Sequence, residues 1–207
     1  MAKRSDNTRK RPDFYAQKAK KDNYPARSVY KLMELQEKHQ ILRKGTTVID
    51  LGCAPGSWLL YAAETVGEQG RVTGIDLTPV SIPLPPQASS HVADMFEIQP
   101  DDAMFGNRPA DTVLSDMAPS TTGHPSTDAV RSFNLSAAAL SFAKTALKPG
   151  GHFVCKIFQG EDFKIFTDMV KKEFNRCVIF KPVSCRKDSR EIYVIGLGKK
   201  EPVNVRS

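Results

Sequence analysis

Short runs of apolar and β-branched residues alternate with helical patterns along most of this chain, and that alternation restricts the folds it can adopt. Strands are predicted at 46–51, 71–77, near 90–93, 110–117, 152–158, 176–181 and 191–197, and helices at 28–40, 56–66, from 128 to 147 and at 162–174. Such alternation favours a mainly parallel sheet with helices on both faces. The last two strands have no helix between them, which predicts antiparallel pairing there. The predicted fold class is α/β: a doubly wound, mostly parallel seven-stranded sheet whose last strand is antiparallel.

Length and composition are typical of one enzyme-sized domain. The 207 residues are 40% hydrophobic and 26% charged, enough for a packed core. The apolar runs are too short for a membrane-spanning helix, and the polar, basic start lacks the apolar region of a signal peptide, so we expect a cytoplasmic protein. We predict a basic N-terminal arm at 1–24, a single domain at 25–200 and a tail at 201–207. Asp128 is predicted to cap the long helix that runs from 128 to 147.

Charge is distributed unevenly along the chain. The net charge of +7 divides into +8 over residues 1–44, −6 over 45–164 and +5 over 165–207. Two basic ends that met on one face would bind a phosphate backbone, whereas an acidic middle would repel it. Lysines that serve only solubility explain the same counts, so charge alone leaves nucleic-acid binding open.

Acidic residues follow three successive predicted strands, where a doubly wound sheet binds its ligand. Asp50 precedes a tight turn in which Gly52 and Gly56 permit close approach of a ligand, and Asp76 stands where a carboxylate accepts hydrogen bonds from ribose hydroxyls. Asp94 and Met95 offer an acceptor beside an apolar surface for a purine. Pro55 removes a backbone donor that a dinucleotide pyrophosphate would use, so S-adenosylmethionine fits better than a nicotinamide cofactor. The alternative is that these acids only cap turns.

A second set of polar residues follows the later strands. Lys156 interrupts an apolar strand, where burial is costly without partners, and Asp116 and Glu191 are the partners that the pattern offers. An equally good interpretation places Lys156 near an exposed strand end, with its aliphatic stem covering apolar surface.

Several motifs in order along the chain carry a family resemblance. They are RSVYKL at 27–32, DLGCAPGSW at 50–58, DL at 76–77, SDMAP at 115–119, KIFQG at 156–160 and SREIY at 189–193. The chain resembles the FtsJ/RrmJ family of S-adenosylmethionine-dependent ribosomal RNA ribose 2′-O-methyltransferases from about residue 25 to 198. The resemblance implies a Rossmann-like class I methyltransferase fold. The chain departs from the family pattern at Ser57, where a second glycine is common, and at Cys53.

The resemblance also implies roles for individual residues. The catalytic tetrad of the family falls on Lys31, Asp116, Lys156 and Glu191, with Lys156 as the proton acceptor or as a cation that stabilises developing negative charge. Its cofactor contacts fall on Gly56, Trp58, Asp76, Asp94 and Asp116.

The expected substrate is a ribose in large-subunit ribosomal RNA, bound as an exposed strand or loop. Its phosphates would contact the basic residues beside the tetrad, which are Arg27, Lys31, Arg186, Lys187 and Arg190. Two alternatives remain: a transfer RNA anticodon-loop methyltransferase, and a non-catalytic RNA-binding ribosome assembly factor. Four cysteines without a paired spacing predict neither disulfides nor a zinc site, and we expect no metal cofactor and a monomer.

Overall fold

The computed structural model describes residues 13–106, 108–186 and 188–201. The strands are β1 (Thr47–Leu51), β2 (Arg71–Asp76), β3 (Ala88–Val92), β4 (Ala110–Ser115), β5 (Leu147–Phe158), β6 (Phe174–Phe180) and β7 (Glu191–Lys199). The helices are α1 (Phe14–Lys21), α2 (Val29–His39), α3 (Ser57–Val66), α4 (Pro125–Ala146) and α5 (Phe163–Glu173), with a 3₁₀ turn at Ala103–Phe105.

The strands form one seven-stranded sheet in the order β3-β2-β1-β4-β5-β7-β6. Strands β1 to β5 pair in parallel, and β7 lies antiparallel between β5 and β6. The order reverses direction at β1, beside β4, which is where a sheet of this kind opens a ligand crevice. The α/β class, the doubly wound order and the antiparallel last strand are confirmed.

The core has two layers because alternate strand residues point to opposite faces of the sheet. Cys155 and Ile157 join the layer covered by α4 and α5, whereas Val154 and Tyr193 join the layer covered by α2 and α3. The side chain of Lys156 is therefore directed toward the α2 and α3 face, at the carboxyl end of β5.

Helix α1 lies within the predicted N-terminal arm and packs against α2. Ala19 and Tyr30 are buried together with Val29, and the Tyr30 hydroxyl donates to the Asp22 carboxylate over 2.8 Å. Tyr30 therefore packs in the core between α1 and α2. Residues 1–12 of the arm, residues 202–207 of the tail and Lys187 lie outside the described residues, and the division into arm, domain and tail stays a prediction.

The prediction that Asp128 caps α4 is wrong. The helix begins at Pro125, because a proline has no N–H to leave unsatisfied and its fixed φ suits the first helical position. Asp128 lies in the first turn, where its Oδ1 accepts hydrogen bonds from the Thr122 N–H (2.8 Å) and hydroxyl (2.9 Å). The carboxylate therefore ties the preceding loop to the helix.

Two kinds of feature are absent from residues 13–106, 108–186 and 188–201. No helix there has the length and apolar character to cross a membrane. No group of three or more His, Cys, Asp or Glu side chains in those ranges is placed to hold a metal ion.

Candidate functional site

A cavity of about 310 Å³, here called the strand-end cavity, opens at the carboxyl ends of β1, β2 and β4. Five residues predicted to bind a cofactor line it: Gly52, Asp76, Asp94, Met95 and Asp116. Phe96, which follows Met95 and was expected to pack on a purine, lines it as well. Sequence reasoning missed other lining residues, which include Leu77, Met117, Ala118 and Leu135. Leu135 lies on α4, far from the strand ends in sequence, so no local pattern indicates it.

Hydrogen bonds to the backbone fix the two carboxylates on one side of the strand-end cavity. The Asp76 oxygens accept from the N–H of Ala54 over 2.9 Å and of Thr78 over 2.8 Å. Asp94 Oδ1 accepts from the N–H of Phe96 over 3.0 Å. Both side chains are thus held in place, and the Ala54 contact ties β2 to the turn after β1.

Gly52 permits the close packing of that turn against β4. Its φ is +80°, and a Cβ there would lie 2.6 Å from Met117 Cγ and 3.0 Å from the Met117 backbone. A side chain at position 52 would therefore displace Met117, which lines the strand-end cavity.

We expect Gly52→Ala to destabilise the fold by about 1–3 kcal/mol more than Gly45→Ala does, as measured by urea unfolding. Gly45 is the matched control, since its φ is +74° but a Cβ there meets nothing within 4 Å. The control isolates the cost of the positive φ, which is about 1 kcal/mol. Equal losses of stability in the two variants would contradict the proposed clash with Met117.

Asp50 lies behind the strand-end cavity and is fully buried. Neither carboxylate oxygen has a hydrogen-bond partner among the described residues. Burial, followed by the negative charges of Asp116 and Asp76, raises the pKa of Asp50 well above its usual range. A cation brought to this end of the sheet would favour the ionised form.

Gly56 and Trp58 are not brought to the strand-end cavity. A Cβ on Gly56 would lie 2.9 Å from side-chain carbons of Val80 and Ile82. The absence of a side chain at this glycine therefore allows the proline-rich loop at 79–86 to pack against the turn. Trp58 is buried, donates from Nε1 to the Ser28 carbonyl over 2.8 Å and packs against the Tyr193 ring. Their observed contacts are structural.

Two lysine–carboxylate pairs lie beside the strand-end cavity. Lys31 Nζ is 2.8 Å from the Glu191 carboxylate, and Lys156 Nζ is 3.1 Å from Asp116 Oδ1 and 2.5 Å from the Asp116 carbonyl. These four side chains are only 8 to 16% exposed, so the pairs are largely shielded from water. Burial raises the pKa of Glu191, but the Lys31 ammonium outweighs it and leaves that pKa below its usual value.

Tyr193 supports the Lys156–Asp116 pair and was not among the predicted site residues. Its buried hydroxyl donates to Asp116 Oδ1 over 2.6 Å, and its backbone pairs with Lys156 across the sheet. Burial and then the Asp116 carboxylate raise the pKa of Tyr193 well above its usual range, so it remains a donor. A sequence signal was present, since Tyr193 follows Glu191 by two residues and shares its face of the strand.

The predicted RNA contacts differ in their surroundings. The Arg27 guanidinium donates to the Asp13 carboxylate and the Ser184 carbonyl and lies 5.3 Å from the Tyr15 ring, so it is engaged within the protein. Arg186 is largely exposed at 3.8 Å from Asp13. The exposed Arg190 donates to the Gln159 carbonyl over 2.7 Å. Lys31 faces Glu191, as described above.

Glu34 anchors the loop that carries Arg186 and Arg190. Its two carboxylate oxygens accept from the N–H of Val183 over 2.7 Å and of Ser184 over 2.9 Å. Glu34 is on α2 one turn after Lys31, so the same helix fixes both the Lys31–Glu191 pair and the loop.

We expect Glu34→Ala to loosen this loop without unfolding the protein, because two charge-assisted hydrogen bonds are lost at its base. Amide hydrogen exchange at Val183 and Ser184 should be about tenfold faster. Glu37→Ala, an exposed site on the same helix, is the control and should leave both rates unchanged. Unchanged exchange in the Glu34 variant would show that the loop is held by other contacts.

Comparison with known proteins places the whole site within one family. The sequence model of the family described as FtsJ-like methyltransferase matches residues 24–199. That match spans α2 through β7, and it includes both lysine–carboxylate pairs and every residue of the strand-end cavity.

Relatives agree with this match, and a solved structure shares the fold. The chain is 59% identical to the ribosomal RNA large subunit methyltransferase E of Desulfosudis oleivorans, over 96% of each chain. It is 45% identical to the protein of the same name from Bdellovibrio bacteriovorus, over 91% of this chain and 97% of the relative. A crystal structure from Plasmodium falciparum, assigned as a ribosomal RNA methyltransferase, shares the fold with a TM-score of 0.76 at 24% identity, over 86% of this chain and all of that one.

Proposed function

The chain belongs to the FtsJ-like methyltransferase family, and from that premise we propose that it transfers a methyl group from S-adenosylmethionine to a ribose 2′-hydroxyl of large-subunit ribosomal RNA. The relatives that share its full length carry the name ribosomal RNA large subunit methyltransferase E. The two lysine–carboxylate pairs beside the strand-end cavity are the observation that carries the proposal.

The residues of the strand-end cavity suit S-adenosylmethionine. Asp76, at the end of β2, is placed to accept hydrogen bonds from ribose hydroxyls, and Met95 and Phe96 offer apolar surface to a purine. Behind the cavity, the unpartnered carboxylate of Asp50 favours a ligand with a cationic end, such as an amino acid ammonium. When bound, this cofactor supplies an electrophilic methyl carbon on a sulfonium sulfur.

The chain's own residues then position the hydroxyl and receive its proton. We assign Lys156, in its neutral amine form, as the group that accepts the proton of the ribose hydroxyl. The oxygen would form its bond to the methyl carbon as the carbon–sulfur bond breaks, and the sulfonium would leave as a neutral thioether. Asp116 and Tyr193 hold its nitrogen in place, since both the carboxylate and the carbonyl of Asp116 lie within 3.1 Å. The adjacent Lys31–Glu191 pair contributes charge for orienting the ribose and its phosphate.

Basic residues near the pairs support RNA as the substrate. Arg186 and Arg190 lie on the loop before β7, next to Glu191, and a phosphate contact from Arg186 would position a strand without reading its sequence. The proposed partner is ribosomal RNA within the large subunit or its precursor, acted on by a monomer in the cytoplasm. Arg27 is a weaker RNA contact in this proposal, because its guanidinium already binds Asp13 and Ser184.

The test is methyl transfer from labelled S-adenosylmethionine to undermethylated large subunits, free ribosomal RNA and transfer RNA, followed by nucleoside analysis. We expect a 2′-O-methylnucleoside in ribosomal RNA. The same product in transfer RNA alone would favour an anticodon-loop enzyme, and RNA binding without transfer would favour an assembly factor. A base-methylated product would refute the proposed chemistry.

A further inference from the structure

We propose that a second cavity binds an unstacked base of the RNA strand, next to the nucleotide whose ribose is methylated. This inference rests on the proposed function and extends it to substrate recognition. The cavity, here called the α4–α5 cavity, has a volume of about 310 Å³ and lies between α4, the start of α5 and the carboxyl end of β5. Among the described residues, none lines both this cavity and the strand-end cavity.

The α4–α5 cavity lies close to Lys156 along β5. Phe158, in its wall, follows Lys156 by two residues on β5, which is about 7 Å along an extended strand. Phe158 also pairs with Glu191 across the sheet, and Arg190 at the rim directly precedes Glu191. The Lys156 side chain is on the α2 and α3 face and the cavity is on the α4 and α5 face, so an RNA strand would reach both by crossing the carboxyl edge of the sheet.

The lining of the cavity matches the chemistry of a nucleobase. Its walls include three phenylalanines, Phe133, Phe158 and Phe163, of which the first and last also pack on the main core. A fixed aromatic and apolar surface of this kind accepts the face of a base.

Polar groups at the rim of the cavity complement a base edge. Glu161 supplies acceptor oxygens, and Arg190 supplies a guanidinium with five N–H donors, one of which binds the Gln159 carbonyl. A base edge presents both donors and acceptors, so charges of both signs suit it, whereas a phosphate would be repelled by Glu161.

Exposed apolar surface at the mouth of the cavity is consistent with a ligand. Val130, on α4, is 49% exposed although it lines the cavity. An enclosed volume of this size fits a single planar base better than a protein segment, which would need a longer groove.

The first test fills the cavity. We expect Val130→Trp to raise the KM for undermethylated large subunits at least tenfold, with kcat and the affinity for S-adenosylmethionine unchanged. Ser141→Trp is the matched control, since Ser141 is exposed on the same helix about 16 Å further along and does not line the cavity. A normal KM for the Val130 variant would overturn the inference.

The second test locates the RNA directly. The photocrosslinker p-benzoylphenylalanine is introduced at position 130 or 141, and the adduct on the subunit is mapped by primer extension. We expect a crosslink from position 130 within two nucleotides of the methylated residue, and none there from position 141. A crosslink confined to distant RNA or to ribosomal protein would refute the base site. Failure of the wild-type protein to methylate ribose would refute the proposed function itself, and is scored separately.

Discussion

Replacement of Lys156 by alanine is expected to lower kcat by about 10² to 10⁴-fold while the affinity for S-adenosylmethionine remains within about twofold. The physical reason is that Lys156 Nζ lies against Asp116 at the carboxyl end of β5, and it does not line the strand-end cavity. Single-turnover methylation of large subunits measures the first quantity, and calorimetry with the cofactor measures the second.

Two further variants make the Lys156 result interpretable. Lys164→Ala removes an exposed lysine paired with Asp168 on α5 and should leave turnover unchanged. Lys156→Met keeps most of the buried stem, so that a loss of turnover at an unchanged melting temperature excludes misfolding as the cause. Near-normal turnover in the alanine variant would instead make Lys156 a structural lysine.

Asp50→Asn is expected to remove a pH-dependent loss of stability from the protein without cofactor. The raised pKa of Asp50 means that the folded state binds a proton more tightly than the unfolded state does. The resulting stabilisation is complete below the ordinary pKa of an aspartate, about 3.9, and is lost as the pH rises toward the raised folded value. The free energy of unfolding should fall by up to about 1.4 kcal/mol per pH unit in that interval, and asparagine should abolish this contribution.

Urea unfolding of both proteins between pH 5 and pH 8 measures this difference. The free energy of unfolding of Asp50→Asn, relative to that of the wild type, should increase as the pH rises. The exposed Asp101→Asn is the control, and its curve should run parallel to that of the wild type. Parallel curves for Asp50→Asn and the wild type would show that burial does not raise the pKa of Asp50 in the folded protein.

Much of the fold could be predicted from local patterns. Strand β1 and helix α3 were predicted within one residue of their observed bounds, because a β-branched run ends at a glycine turn and an apolar helical face follows. The start of α4 was predicted wrongly, since both Pro125 and Asp128 are residues that open helices and only the proline is at the first position.

Some residues of the predicted site could also be identified from local patterns, whereas the surroundings of others could not. Asp76 and Asp94 were identifiable because each ends a predicted strand, and the carboxyl ends of parallel strands meet at one edge of the sheet. Trp58 was carried over from a family pattern, and its indole is buried against Tyr193 and the Ser28 carbonyl. Arg27 illustrates a limit of charge counting, since its positive charge is already balanced by Asp13 and its guanidinium also donates to the Ser184 carbonyl.

The sequence by itself determined the α/β class, the strand that would carry Lys156 and the family to which the chain belongs, because periodicity and motif spacing are properties of neighbouring residues. Only the tertiary structure decided that Lys31 pairs with Glu191, which is 160 positions away, and that Tyr193 donates to Asp116. It also decided that Asp50 is buried without a partner and that a cavity lies between α4 and α5. Such contacts depend on how helices pack on a sheet, and packing between distant segments leaves no local periodicity to read.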